Sequence, residues 1–235
     1  TYNLLDPTYD PGTGRSESGV VNLFDVNGDP AGTVSFAQME NVVCFTPGTT
    51  VLTTAGEVLV ENLRVGDRVV TRDNGLQAIR WVGTKKLSHS NLLARPKLRP
   101  IMIRKGSLGS NLPERDMMVS PNHRMLLVSQ QTQLLFEESE VLIAAKHMTH
   151  MEGVQRVQTQ GVEYVHFLCD NHEVVLADGT WSESFQPGEH SLGSIGTEQR
   201  NEIFDLFPEL KEREGIDNYS AARMTLKAHE AKLVG

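Results

Sequence analysis

Short runs of Val, Ile, Leu and Thr recur along most of the chain and alternate with turn residues. Many such runs at even spacing are typical of an all-β fold. The pattern predicts strands at Thr50–Thr54, Asp67–Thr71, Gln77–Val82, Pro100–Arg104, Met117–Val119, Met125–Val128, Val162–Leu168 and Glu173–Leu176. The run Glu140–His147 predicts a strand that leads into a short helix, because an Ala-Ala pair precedes its end.

The N-terminal flank differs from this body. Residues 1–19 carry Pro and Gly and few apolar side chains, which predicts a loose linker. Further along, Asn27-Gly28 separates two β-rich runs, Val20–Val26 and Gly32–Phe36. An Asn-Gly pair between such runs is a strong indication of a β-hairpin.

The C-terminal flank changes character after Pro187. The segment Thr197–Phe207 predicts a helix with Thr197 as its N-cap and Pro208 at its end. The segment Tyr219–Leu233 predicts a second helix. The sequence therefore predicts a β domain that carries a short helical tail.

Composition and charge exclude several classes of protein. The 235 residues contain 22 Lys and Arg against 30 Asp and Glu, a net charge of −8, which argues against nucleic-acid binding. No apolar run approaches the ~20 residues of a membrane span. The two cysteines are too few for a disulfide scaffold. We expect a monomer with no cofactor and no nucleic-acid partner.

The two cysteines are therefore candidates for a chemical role. Cys44 lies in Val42-Val43-Cys44-Phe45-Thr46-Pro47-Gly48. Because free cysteine is often buried, it could be an apolar strand residue. Alternatively it is a nucleophile at a strand end, where the Pro-Gly turn fixes its approach. This segment alone does not decide between the two.

Three histidines fall at or near predicted strand ends. His123 follows Ser120-Pro121-Asn122, His172 follows Cys169-Asp170-Asn171, and His166 lies upstream of His172. Each alone could be an ordinary turn residue. Together with one cysteine in one β domain they favour covalent catalysis.

The pair His147 and His150 has a spacing found in metal sites, but no third ligand follows, so we predict no metal site.

Four motifs in chain order resemble the Hint family, the autoprocessing module shared by hedgehog C-terminal domains and inteins. They are Cys44–Thr49, Val65–Val69, Ser120–His123 and Asn171–Gly179. The chain is most similar to bacterial Hint-domain proteins that do not splice. The resemblance implies an all-β horseshoe with pseudo-two-fold symmetry. It divides the chain into an upstream flank (1–43), a Hint domain (44–186) and a helical tail (187–235).

The resemblance also implies a reaction at the Val43–Cys44 peptide. The thiol of Cys44 would attack the carbonyl of Val43 and convert the peptide into a thioester. His123 would polarise the amide and protonate its departing nitrogen, and Ser120 would hydrogen-bond the same peptide. A donor imidazole with a pKa near working pH suits such a step.

Two further histidines match less directly. The later family histidine falls on His172. His166 lies near the position where many inteins carry Asp, so it is a second-rank catalytic candidate.

Departures from the family narrow the expected activity. Inteins end in His-Asn, whose Asn cyclises, whereas the matching positions here are Glu183-Ser184, so splicing is not expected. The segment Arg80–Thr84 lacks the carboxylate that hedgehog domains use, so sterol transfer is not expected. The implied substrate is the chain's own upstream segment, and water or an external nucleophile would resolve the thioester. The alternative is a silent Hint-fold module that links or binds other proteins.

Cys169 lies three residues before His172. It could form a disulfide with Cys44 or join a zinc site, but a partly buried spectator is the favoured interpretation.

Overall fold

Strands dominate the described part of the chain. The computed structural model describes the backbone of residues 2–9, 16–24 and 30–37, together with residues 43–187, 192, 195–212, 215–216 and 219–234. The strands are β1 (Tyr2–Tyr9), β2 (Ser16–Phe24), β3 (Pro30–Ala37), β4 (Thr50–Thr53), β5 (Gly56–Leu59), β6 (Arg68–Val70), β7 (Leu76–Ala78), β8 (Trp81–Ser88), β9 (Ile101–Ile103), β10 (Met117–Val119), β11 (Arg124–Val128), β12 (Glu140–Ala144), β13 (Val154–Arg156), β14 (Gly161–Leu168), β15 (Val174–Ala177), β16 (Thr180–Glu183) and β17 (Thr225–Leu226).

Helices are short. They are α1 (His89–Ala94), α2 (Gln130–Phe136), α3 (Thr197–Leu206) and α4 (Ala228–Ala231), with 3-10 turns at Val60–Asn62, Pro96–Leu98, Ala145–His147 and Pro208–Lys211. Within the described residues, no helix is both long and apolar enough to cross a bilayer.

The N-terminal strands form a sheet of their own. β2 pairs antiparallel with both β1 and β3, so the two strands of the predicted hairpin are confirmed. Its Asn27-Gly28 turn lies outside the described residues. The predicted linker over residues 1–19 is wrong, because β1 lies within it and pairs with β2. Backbone hydrogen bonding to a neighbouring strand needs no apolar run, and this is why composition missed β1.

The body of the fold consists of curled sheets, and the all-β prediction is confirmed. One sheet has the order β17-β12-β11-β16-β15-β4-β6-β7, with β5 also paired to β4. A second has the order β10-β9-β13, and β14 pairs with β8. Each predicted strand lies within a residue or two of an observed one, except that the run Gln77–Val82 is divided between the end of β7 and the start of β8.

Both groups of strands contribute to the main apolar core. Ile101 of β9 and Phe167 of β14 are fully buried, as are Val175 of β15 and Met125 of β11. On β11, Met125 lies directly opposite Ile143 of β12 in the antiparallel register. Because strands distant in sequence share this core, the loops between them are held in fixed positions.

The C-terminal tail matches the prediction in one part and not in the other. Helix α3 spans Thr197–Leu206 and ends before Pro208, as predicted, but its N-cap is Gly196. The predicted helix over Tyr219–Leu233 is wrong. Its middle forms β17, which runs parallel to β12, and only α4 is helical. Pairing with the β12 edge and burial of Leu226 outweigh the local helix propensity of this segment.

Leu226→Ala should therefore destabilise the whole domain. Leu226 is 2% exposed and packs in the main core together with Ala231 and Val234. Truncating a buried leucine leaves a cavity and costs about 2–5 kcal/mol. Urea unfolding of the full chain should show this loss of unfolding free energy.

Leu233→Ala is the matched control, because Leu233 is 57% exposed on the same segment. We expect it to change the unfolding free energy by no more than about 0.5 kcal/mol. Equal effects of the two substitutions would contradict the packing of the tail into the core.

Candidate functional site

Cys44 lies in the interior, directly before Phe45, which bridges two strands. Phe45 forms bridges to Val119 of β10 and to Val165 of β14. Its N–H donates to the Val165 carbonyl at 2.8 Å, and the Val165 N–H donates back at 2.9 Å. These bonds hold Cys44 in the interior, where it is 1% exposed.

The thiol of Cys44 contacts His166. Cys44 Sγ lies 2.9 Å from His166 Nδ1, within hydrogen-bond distance. The His166 ring packs against two aromatic side chains, with centroid distances of 5.0 Å to Trp81 and 5.3 Å to Phe185. The second-rank candidate of the sequence is thus the group that touches the thiol.

A glycine makes this arrangement fit. Gly83 lies opposite His166 in the β8–β14 register. A Cβ at Gly83 would lie 2.2 Å from Trp81 Cη2 and 2.7 Å from His166 Nε2. Only a residue without a side chain lets both rings lie over the strand at this point.

Ser120 hydrogen-bonds to the backbone of Cys44. The Cys44 N–H donates to Ser120 Oγ at 2.9 Å, and the Ser120 N–H donates to the Cys44 carbonyl at 2.9 Å. The nitrogen of the Val43–Cys44 peptide is therefore fixed by a hydroxyl from the loop after β10. This is the peptide that the family resemblance marks as scissile.

His123 lies in the same loop. Its backbone N–H donates to the Ser120 carbonyl at 3.1 Å, and its ring centroid is 4.3 Å from that of Phe45. The ring is buried, and neither nitrogen has a hydrogen-bond partner among the described residues. An imidazole with two uncommitted nitrogens is available for proton transfer.

Burial keeps these groups uncharged. It raises the pKa of the Cys44 thiol well above its usual value, and the nearby Glu183 carboxylate adds to the rise. Burial lowers the pKa of His123 to about 4 against an opposing pull from Glu183, and that of His166 to about 3. The resting site therefore holds a neutral thiol beside a neutral imidazole.

His172 belongs to a neighbouring buried ion cluster. Its Nε2 lies 3.0 Å from Glu183 Oε2, and its Nδ1 accepts the Ala222 N–H at 3.0 Å. Glu183 also accepts the Arg124 N–H at 2.7 Å and Arg124 Nη1 at 3.1 Å. Nδ1 is therefore the acceptor and Nε2 the donor to Glu183, so both ring nitrogens are engaged.

Sequence reasoning missed the role of Glu183 in this cluster. Burial alone would raise the pKa of its carboxyl, but Arg124 and His172 outweigh this and lower it. The available signal was a carboxylate within a strand at the positions where inteins carry His-Asn. Arg124, directly after His123, was the cation to pair with it.

Cys169 takes no part in the described contacts of the Cys44 thiol. Both cysteines are free and buried, with no disulfide between them in this structure, and Cys169 packs in the main core. Its backbone carbonyl accepts the Tyr219 hydroxyl at 2.9 Å. Throughout the part of the chain that the structure describes, no cluster of three or more His, Cys, Asp or Glu side chains is arranged to hold a metal ion.

Comparison with known proteins gives one family match. The family described as Hint domain matches residues 43–189. A solved bacterial intein-like domain from Clostridium thermocellum is similar, with 13% identity, a TM-score of 0.40, and coverage of 62% of this chain and 100% of that one. A DnaB intein from Synechocystis sp. PCC 6803 has 12% identity, a TM-score of 0.36, and coverage of 60% and 98%. The AceL NrdHF class 3 split intein has 17% identity, a TM-score of 0.38, and coverage of 60% and 96%. No curated protein matches the chain.

Acid should destabilise the fold through the two buried histidines. Histidine in the unfolded chain titrates near ~6.5, whereas the folded pKa values are about 4 for His123 and about 3 for His166. The stability that the folded chain gains by keeping these histidines neutral is fully present above pH ~6.5. It is lost as the pH falls from there toward the folded pKa values, and the unfolding free energy falls by up to about 1.4 kcal/mol per pH unit for each group. Urea unfolding between about pH 7 and pH 5 measures this slope.

His123→Leu should make that slope shallower by about one proton, because one buried titrating group is removed. His229→Gln is the control, since the His229 side chain is 77% exposed and its substitution should leave the slope unchanged. A His123→Leu slope equal to that of the unmodified chain would show that His123 is not held neutral by burial.

Proposed function

This chain belongs to the Hint domain family, and on that premise we propose that residues 44–186 act once on their own chain. The proposed reaction converts the Val43–Cys44 peptide into a thioester by an N-to-S acyl shift and releases residues 1–43 as the acyl segment. One observation carries the proposal. The Cys44 thiol lies 2.9 Å from His166 Nδ1, while the amide nitrogen of the same residue is held by Ser120 Oγ at 2.9 Å.

His166 is the proposed general base. A thiol whose pKa is raised by burial is a poor nucleophile until its proton is removed, and only the thiolate attacks well. The neutral His166 Nδ1 accepts this proton while Sγ bonds to the carbonyl carbon of Val43. The attack passes through a five-membered ring, which contains Sγ, Cβ, Cα and N of Cys44 and the carbonyl carbon of Val43.

His123 is the proposed acid for the second half of the shift. The proton taken by His166 passes to His123 and gives its imidazolium form. The Val43 C–N bond then breaks, its electron pair stays on the Cys44 nitrogen, and the His123 imidazolium donates that proton to complete the amine. The net change is one C–S bond for one C–N bond and one proton moved from sulfur to nitrogen. The two imidazoles return to their resting states by proton exchange. Without this proton the leaving group would be an amide anion, which is too basic to depart.

Resolution of the thioester falls to water or an external nucleophile. The family's Asn cyclisation has no counterpart at Glu183-Ser184, and the chain continues from there into Phe185. The Glu183 side chain is committed to Arg124 and His172. The proposal is therefore cleavage without splicing.

His172 takes a positioning role in this scheme rather than a chemical one. Both of its ring nitrogens are engaged, by Glu183 and by the Ala222 N–H. The Arg124 N–H, which belongs to the residue directly after His123, binds the same carboxylate. His172 and Glu183 thereby anchor the backbone that carries the proposed acid.

Hydroxylamine treatment of the full chain should release a fragment that starts at Cys44. Hydroxylamine attacks a thioester and should leave the upstream fragment as the Val43 hydroxamate, which mass spectrometry separates from the product of ordinary proteolysis. Cys44→Ala should abolish both fragments. Cys169→Ala is the matched control and should cleave at the unmodified rate, because Cys169 packs in the core away from the thiol's contacts.

A chain that stays intact between mildly acidic and mildly basic pH, with hydroxylamine or dithiothreitol, would overturn the cleavage proposal. That result would favour the silent Hint-fold module instead.

His166→Gln should slow hydroxylamine-dependent cleavage by about 10²- to 10⁴-fold, the range expected for loss of a general base. Glutamine keeps a polar side chain at this position but cannot take the thiol proton. The rate is measured by mass spectrometry over time, with exposed His229→Gln as the control. A His166→Gln chain that cleaves at the unmodified rate would remove His166 from the mechanism.

A further inference from the structure

The side chain on the acyl side of the proposed scissile bond is itself buried. Val43 is 6% exposed and packs in an apolar cluster separate from the main core. We call this cluster the acyl pocket, and its principal residues are Trp81, Leu168, Phe185, Ile203, Phe207 and Leu210. Val43 is thus the apolar residue that the pocket holds next to Cys44.

The acyl pocket shares two walls with the proposed general base. Trp81 and Phe185, which pack with Val43 in the pocket, also cover the ring of His166 at centroid distances of 5.0 and 5.3 Å. The cluster that contains Val43 and the imidazole that binds the thiol therefore share two aromatic rings. We expect a change in the shape of residue 43 to reach His166 through this cluster.

The C-terminal helix α3 completes the pocket. Ile203 lies on α3, and Phe207 follows its last residue. Two side chains of this helix fasten it to β8, since Trp81 Nε1 donates to Glu202 Oε2 at 3.0 Å and Gln199 Nε2 donates to the Thr84 carbonyl at 3.1 Å. The tail is thus a wall of the site and not an appendage to the domain.

We propose that the acyl pocket is a specificity site that selects a branched aliphatic residue at position 43. This proposal rests on the proposed cleavage at Val43–Cys44. The backbone is fixed on the Cys44 side by Phe45 and Ser120, and a fitted side chain at position 43 fixes it on the other side. Anchors on both sides of the peptide restrict the position of the Val43 carbonyl carbon relative to Sγ, and such positioning of reacting atoms accounts for a large part of catalysis. Under this proposal, efficient release of the upstream segment requires a branched aliphatic residue at its end, as Val43 provides.

Val43→Thr tests the apolar character of the pocket at nearly constant shape. The added hydroxyl has no partner in an apolar cluster, so cleavage at saturating hydroxylamine should slow by about tenfold. Val65→Thr makes the same chemical change at a valine that is 65% exposed and should leave the rate unchanged. Urea unfolding of both variants shows whether the chain is folded under the assay conditions.

A volume swap separates selection from simple loss of stability. Val43→Phe should slow cleavage by about 100-fold because the pocket is closely packed. Phe207→Val in the same chain removes side-chain volume from the same cluster and should restore the cleavage rate at least about tenfold. Phe207→Val alone removes buried apolar volume and destabilises the fold, so urea unfolding of the two single variants and the double variant shows whether the rescue of cleavage exceeds any recovered stability.

The outcomes are distinct. Cleavage that is indifferent to residue 43, or a double variant no faster than Val43→Phe alone, overturns the pocket as a specificity site and leaves the cleavage proposal intact. An unmodified chain that never cleaves overturns both, and the cluster is then packing only.

Discussion

The pair of backbone hydrogen bonds between Phe45 and Val165 determines where the whole site lies. Through them the chain leaves Cys44 and joins β14, one residue before His166. The bridge from Phe45 to Val119 brings the following loop, with Ser120 and His123, to the same point. One residue thus unites three segments distant in sequence, which side-chain contacts alone would hold less rigidly.

The site is costly to fold, and its neighbours offset that cost. His123 leaves two ring nitrogens without described partners and His166 leaves one, each worth about 1–3 kcal/mol of lost hydration. The Glu183 carboxylate is fully buried, but Arg124 and His172 satisfy it. An ionised carboxylate close to His123 also favours the imidazolium that the proposed acid must form. The same charge opposes ionisation of the thiol, so proton removal by His166 has to accompany attack.

Much of the fold was readable from the sequence because the strands carry their own apolar runs. Strand β11 and helix α3 were predicted nearly to the residue. The segment around Leu226 was not, since its strand exists only through pairing with β12. The site divides in the same way. Cys44 stands out as one of only two cysteines and precedes a Pro-Gly turn, and His123 lies in a polar break between apolar runs. The importance of His166 depends instead on the β8–β14 register, which no local pattern encodes.

The position where inteins carry His-Asn explains how the parts of this domain depend on one another. At that position the Glu183 carboxylate binds Arg124. Because it accepts the Arg124 backbone N–H, it also anchors the adjoining loop that carries His123. A residue used in this way cannot also release a C-terminal flank, so the chain is free to fold back onto the domain. It does so at Ala222, which binds His172, and at α3, which covers Trp81 through Glu202. Under the proposed reaction the tail stays joined to the domain after cleavage at Val43–Cys44, and it has to stay joined because α3 supplies a wall of the site.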